Sequence, residues 1–160
     1  MNFRIITYID TLGMMAGLWR RRADMPGTPG VLPLREWRDG AGHDLPVLAA
    51  GKDAWHGARN VINRVQRALA ADIVAAARIE ALQPATVQPW GKDVEAAEFD
   101  TFLLPLATNP GCFNYCGSAT MHLPVGHLVW LNAAMPHSAS NFGLHPRYHL
   151  VIEVKKPEVA

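Results

Sequence analysis

MHLPVGHLVWLNAAMPHSASNFGLHPRYHLVIEV, residues 121–154, is the stretch on which the reading of this chain turns. Its segments 127–132 and 147–154 are rich in Val, Leu, Trp and Tyr, which suit a pleated, half-buried surface. Pro124, Gly126, Pro136 and Gly143 punctuate the run, as turns between short strands require. The same stretch holds five of the chain's 7 histidines: His122, His127, His137, His145 and His149. Histidine is the commonest metal ligand and the usual general base near neutral pH, so the cluster is a candidate site.

Working back from it, 86–89, 101–107, 111–115 and 119–123 also read as strands. Gly91, Asn109-Pro110-Gly111 and Cys116-Gly117 mark the turns. Short strands recurring at such intervals argue for a β-sandwich or barrel. Farther back, Val61, Ile62, Val65, Leu69 and Ile73 share one face of a helix predicted over 58–76, ahead of a strand at 79–82. Arg59, Arg64 and Arg67 lie off that face and read as a solvated surface. The proline- and glycine-rich stretch 24–57 reads as a loop serving as a lid or a dimer contact. Leu34–Trp37 and Pro46–Ala49 are candidate short strands within it, and Trp37 and Trp55 candidate anchors to the core. Residues 3–8 predict a strand, and Asp10 caps a helix predicted over 11–22 that ends in Arg20-Arg21-Arg22.

The chain has 160 residues, one domain's worth, with 49% hydrophobic and 18% charged residues and a formal charge of +1. That composition is foreign to a disordered segment and offers no basic field for nucleic acid. No apolar run is long enough to span a bilayer, and Arg4 and Asp10 flank the apolar Ile5–Ile9, unlike a signal peptide. A cytoplasmic protein is expected. Two cysteines, Cys112 and Cys116, are too few for a disulfide scaffold; their spacing is not that of a zinc site, which leaves reduced thiols or a regulatory disulfide.

Gly126 stands before Val129-Trp130, followed by Pro136-His137-Ser138-Ala139 with Asn141, then Arg147 ten residues after His137, then His149-Leu150. Together these elements resemble the aspartyl/asparaginyl and proline hydroxylase family of iron(II)- and 2-oxoglutarate-dependent dioxygenases. Leu104-Pro105-Leu106 with Thr108-Asn109-Pro110 matches the family's strand and turn, and Val87-Gln88-Pro89 its lead-in to the first metal motif. The resemblance implies an α+β, mainly β fold, with N-terminal helices packed on a double-stranded β-helix (a cupin-like jelly roll). A helical and loop-rich part, 1–78, would precede a β-helix core, 79–156, in one domain spanning 1–160. It also implies hydroxylation of a free amino acid, a peptidyl residue or a related small carboxylate, with Fe(II) and 2-oxoglutarate as cofactors.

By the same resemblance His137 is the distal iron ligand. Arg147 is the clamp on the far carboxylate of 2-oxoglutarate, for which a planar guanidinium fork is well shaped. Asn141 accompanies that site. The family's His-x-Asp pair falls on Trp90 and Lys92, and its cosubstrate-contacting Arg-x-His on Thr101 and Leu103, which share a strand face. Indole cannot ligate iron. Asp93, one residue along, and His149, on the same strand face as Arg147, are the candidates to complete the metal set with His137. The alternatives are a metal-independent acid/base enzyme, an isomerase or cyclase, with His137 as the titrating group and Lys92 as a charge or amine nucleophile, or a non-catalytic binding module whose barrel is filled by Trp90 and Leu103.

Overall fold

The computed structural model describes residues 1–14, 30–45, 56–71 and 73–158. Among the described residues eleven strands form two antiparallel sheets. The larger has the order β1-β9-β6-β11-β4-β2-β3, and the smaller the order β5-β10-β7-β8. Their ranges are β1 Phe3–Tyr8, β2 Gly30–Arg38, β3 Ala41–Asp44, β4 Val74–Leu82, β5 Thr86–Val87, β6 Phe99–Ala107, β7 Cys112–Cys116, β8 Ala119–Met121, β9 His127–Leu131, β10 His137–Asn141 and β11 Arg147–Lys155. Helix α1, His56–Ala68, precedes β4.

The period-2 alternation of the central strands gives the large sheet two different faces. Phe102, Leu104 and Leu106 of β6, Leu150 and Ile152 of β11, and Ala77 and Ile79 of β4 point one way and form one core with Ala58, Val61, Ile62 and Val65 of α1. The opposite residues, Thr101 and Leu103, Arg147, His149 and Val151, Arg78 and Glu80, point toward the small sheet. There Cys116 joins Phe3, Leu103, Val129, Leu131 and Val151 in a second, smaller core. The space beside that core is left open and becomes the site.

Several sequence expectations shift at element ends. α1 stops at Ala68 rather than running to 76. The amide of Ala71 donates to Gln66 O at 3.0 Å and that of Ala70 to Arg67 O at 3.1 Å, with Ala70 at φ +48°, a left-handed cap that turns the chain into β4. Ile73 is therefore partly exposed instead of lying on the helix face. Two of the arginines of α1 are tied as well as solvated: Arg59 pairs with Asp44 at 2.8 Å, and Arg64 donates to Asp10 O at 3.1 Å. Part of the expected loop is a nine-residue strand, β2, lying between β4 and β3. Pro33 is accommodated because the β2–β4 register shifts between Pro33 and Arg35, a bulge that spares the ladder a missing donor. Trp37 packs edge-on against Phe99 at 5.6 Å.

At the N-terminus Asp10 Oδ1 accepts the Leu12 amide at 3.0 Å, and helix begins at residue 12 as expected. The remainder of the 11–22 helix, the strand at 46–49 and Trp55 lie outside the described residues. Gly126 earns its place by conformation: φ is +77°, and a Cβ there would run into the Tyr8 ring. Cys112 and Cys116 are buried free thiols four residues apart on β7, about 13 Å along a strand. Bridged cysteines have Cα atoms under about 7 Å apart, so a disulfide between them is excluded.

Candidate functional site

A cavity of about 330 Å³ opens between the two sheets. That is within the usual size of small-molecule sites. Its apolar floor is Leu103, Leu131 and Val151, the edge of the smaller core.

His137 begins β10, a strand the sequence did not predict. His-Ser-Ala-Ser-Asn carries no β-branched or aromatic side chain, and its strand character comes from pairing with β7 on one side and β5 on the other. His137 Nδ1 lies 3.0 Å from Met135 O. A carbonyl only accepts, so Nδ1 carries the proton and neutral imidazole keeps its lone pair on Nε2. Nε2 lies 3.7 Å from Asp93 Oδ1.

Asp93 is brought there by the backbone. The Gly91 amide donates to His137 O at 3.0 Å and the His137 amide to Gly91 O at 2.8 Å, while the Asp93 amide donates to Ala133 O at 2.9 Å. The segment 91–93 is thus fastened along the start of β10. The residues meeting at His137 are Gly91 and Asp93, one position later than the Trp90 and Lys92 read from the sequence. Trp90 is 56% exposed, lies 5.9 Å from the Tyr115 ring and does not line the cavity. It cannot be the barrel plug expected of it. Lys92 lines the cavity but is exposed, so the desolvation that would make its amine a nucleophile is absent.

At the other end, Arg147 and His149 rise from β11 and line the cavity. Arg147 is only 1% exposed. Nη1 donates to Asn114 Oδ1 at 3.1 Å, and Nε is buried without a partner. Among the described residues no carboxylate lies within ion-pair distance of this guanidinium. Burial pushes its pKa down from the ordinary value, opposed by the charge of Glu80. A buried arginine left so is poised for an anion.

His149 is equally buried, its Nε2 has no partner, and no carboxylate or cysteine groups with it and His137 into a cluster of three metal-type ligands among the described residues. Burial first, then the positive charge of Arg147 and the proximity of His122, drive its pKa well below the ordinary 6.5. His149 is therefore neutral when folded. Below pH 6.5 the unfolded chain takes up a proton there that the folded chain refuses, so stability falls as the solution is acidified. His149→Gln is expected to flatten the decline of melting temperature below pH 6.5; equal slopes in both proteins would refute this.

Thr101 and Leu103 both face the cavity, as their shared strand face requires. Asn141 does not face it. It is 0% exposed, its amide nitrogen donates to Leu82 O and His145 O, and its oxygen accepts from Asn109 Nδ2 and the Gly143 amide. Its role is to tie the β10–β11 connection, and the cofactor contact expected of it is withdrawn. His122 and His127 are held by backbone carbonyls of Cys112 and Val125, outside the cavity, and His145 is exposed. Asn114, Glu80 and Arg78 line the site without having been singled out; only the strand alternation around Arg147 could have pointed to them.

A family model described as aspartyl/asparaginyl beta-hydroxylase matches residues 58–157. The chain belongs to the aspartyl/asparaginyl β-hydroxylase family. The matched span runs from α1 through β11 and so contains the whole cavity wall. Among curated relatives, L-proline cis-4-hydroxylase of Rhizobium meliloti (strain 1021) is 39% identical over 70 residues, which are 43% of this chain and 25% of that protein. The chain thus matches about a quarter of that relative's length. Two solved structures share the fold of this β-hydroxylase family member at low identity. One is an oxidoreductase of the 2OG-Fe(II) oxygenase family from Burkholderia pseudomallei, with TM-score 0.60, 14% identity, and 88% of this chain and 77% of that one covered. The other is a Pseudomonas putida prolyl-4-hydroxylase, with TM-score 0.59, 12% identity, and 96% and 91% covered. The two antiparallel sheets are accordingly a jelly-roll oxygenase fold. Among the described residues no helix is long and apolar enough to cross a membrane.

Proposed function

We propose that this chain is a hydroxylase-type oxygenase acting on a free amino acid, a peptidyl residue or a related small carboxylate, with 2-oxoglutarate held by Arg147 and iron(II) by His137 and Asp93. The observation that carries the reading is the buried, carboxylate-free guanidinium of Arg147, which shares one cavity with His137 and Asp93. The residues fit 2-oxoglutarate: its far carboxylate supplies the anion that Arg147 lacks, and the apolar floor of Leu103, Leu131 and Val151 suits its methylenes. They fit iron(II) in kind, a free imidazole nitrogen and a carboxylate oxygen 3.7 Å apart, and fall one short of the usual three in number. Bound together, iron and 2-oxoglutarate would supply the chemistry by which dioxygen puts one oxygen atom on a carbon of the substrate and the other into succinate, with 2-oxoglutarate losing carbon dioxide.

The chain's own residues do the rest. The Met135 carbonyl fixes the His137 tautomer, so Nε2 faces the cavity without a proton to lose first. Neutral His149 adds hydrogen-bonding capacity beside Arg147 without a second positive charge. A side chamber of about 220 Å³ shares Arg78, Lys92, Asp93 and Thr101 with the main cavity and adds Glu95 and Glu153. Charges of both signs there suit a zwitterionic amino acid. The open cavity favours a ligand-binding role over a filled barrel.

Anaerobic addition of iron(II) and 2-oxoglutarate is expected to give the weak visible charge-transfer band of a chelated cosubstrate, and air to give succinate. Asp93→Ala should lose the band. No band and no succinate would overturn the reading. The two-donor count favours one second reading, acid/base catalysis by the His137–Asp93 pair without metal. Stoichiometric iron in the purified protein would count against it.

A further inference from the structure

Two buried nitrogens in the cavity wall lack a hydrogen bond, and they belong to residues two apart on one strand. Arg147 Nε and His149 Nε2 have no partner among the described residues, and each residue is 1% exposed. Strand residues two apart project to the same face, here the face of β11 that lines the cavity. The two nitrogens do not satisfy each other either. A buried polar atom left unpaired is a cost to the fold, and two side by side need a third group to relieve them both.

The other cations of the wall are less fit to hold an anion. Arg78 is already matched by Glu80 at 2.9 Å and Glu153 at 2.5 Å. Lys92 is exposed. On the neighbouring strand β6, Thr101 and Leu103 line the cavity without a charge. Glu80 is paired with His149 in the β4–β11 register, yet its carboxylate goes to Arg78 and leaves His149 Nε2 unbonded.

Resting on the reading of Arg147 as a carboxylate anchor, we propose that His149 is the second half of that anchor: its Nε2–H and the Nε–H of Arg147 donate to the two oxygens of one carboxylate, with no metal needed to hold it. The ligand class follows from the donors. A carboxylate presents two acceptor oxygens in one plane, which donors on one strand face can meet together. Burial, and then the charge of Arg147, keep the imidazole neutral, so the anchor carries one positive charge and matches one negative charge. A doubly charged phosphate would leave a buried negative charge uncompensated, in a wall that already holds Glu80.

Calorimetry of glutarate binding to the full chain, with a chelator present so that no metal takes part, tests this. Glutarate has the length of 2-oxoglutarate and lacks the keto group that would bind a metal. His149→Leu is expected to bind glutarate at least about tenfold more weakly than the wild type, the loss of a hydrogen bond to a charged group. His149→Gln, which keeps an N–H donor at similar reach, should restore most of that affinity. Without ligand, His149→Leu should melt no lower than the wild type, because the nitrogen it removes has no partner. Saturating the wild type with glutarate should bring out a slowly exchanging, downfield imidazole N–H proton resonance that His149→Gln lacks.

The inference is overturned if folded His149→Leu binds glutarate as the wild type does, if the Leu and Gln variants weaken it equally, or if inorganic phosphate displaces glutarate at equal concentration. Should His149→Leu fail to fold, the proton resonance decides, and its absence overturns the inference. If Arg147→Met binds glutarate like the wild type, or the wild type binds none, the carboxylate anchor itself fails. If Arg147→Met loses glutarate while both His149 variants keep it, only the role of His149 is lost.

Discussion

Arg147→Met is expected to reduce 2-oxoglutarate affinity by between about 30-fold and several thousandfold, the range for truncating one partner of a buried charged pair. Arg147 is 1% exposed, and among the described residues its guanidinium hydrogen-bonds to Asn114 alone and carries a buried Nε without a partner. In the free protein that is a cost, because the guanidinium has no ion-pair contact among the described residues and Glu80 offsets its burial only from a distance. Methionine, unbranched and apolar, removes the cost along with the binding group. The ligand-free variant should therefore melt no lower than the wild type, while the stabilisation that 2-oxoglutarate gives the wild type disappears. Arg147→Lys should fall between, since an ammonium keeps the charge and loses the fork. Calorimetry for affinity and thermal melting with and without 2-oxoglutarate make the two measurements. A variant that binds 2-oxoglutarate like the wild type would sink the assignment. One that is strongly destabilised when ligand-free would make Arg147 a structural residue instead.

The two residues that the sequence marks most clearly, Arg147 and His137, both line the cavity. Arg147 stands out in the sequence because it heads a largely apolar strand, and His137 because its spacing from Arg147 matches a known pattern. The alternation of β6 and β11 also carried Thr101, Leu103 and His149 to the correct face. What escaped were properties of register and pairing. Position 91 is silent in the sequence because glycine contributes no donor, so nothing there signals that Gly91 and Asp93, rather than Trp90 and Lys92, meet His137. Only the two hydrogen bonds between Gly91 and His137 fix the register. β10 escaped because its residues are small and polar, and the part of β2 ahead of the expected Leu34–Trp37 strand because a proline sits at its bulge. Both strands are imposed by neighbours, which local propensity does not encode.

Asn141 was misread for a related reason: a polar residue near a site looks like part of it. Its four hydrogen bonds run instead to Leu82 O, His145 O, Asn109 Nδ2 and the Gly143 amide. Leu82 is the β4 residue paired with Arg147, so this one side chain links the end of β10, the connection through Gly143 and His145, and the start of β11. Asn141→Ala would leave those partners unsatisfied in a fully buried place. At about 0.5–1.5 kcal/mol net per bond, the loss should come to about 3 kcal/mol. For a chain of this size that lowers the melting temperature by roughly 6–12 °C. Asn141→Asp should be at least as harmful, because a carboxylate cannot donate to the carbonyls of Leu82 and His145 and would be buried beside them. 2-Oxoglutarate affinity should fall in step, since the same bonds set where Arg147 leaves the turn, whereas iron(II) binding by His137, at the far end of β10, and Asp93 beside it should be largely kept in the folded fraction. Chemical denaturation and the two ligand titrations separate these effects. Wild-type stability in Asn141→Ala, with 2-oxoglutarate binding alone lost, would instead return Asn141 to the ligand contact first read from its place in the sequence.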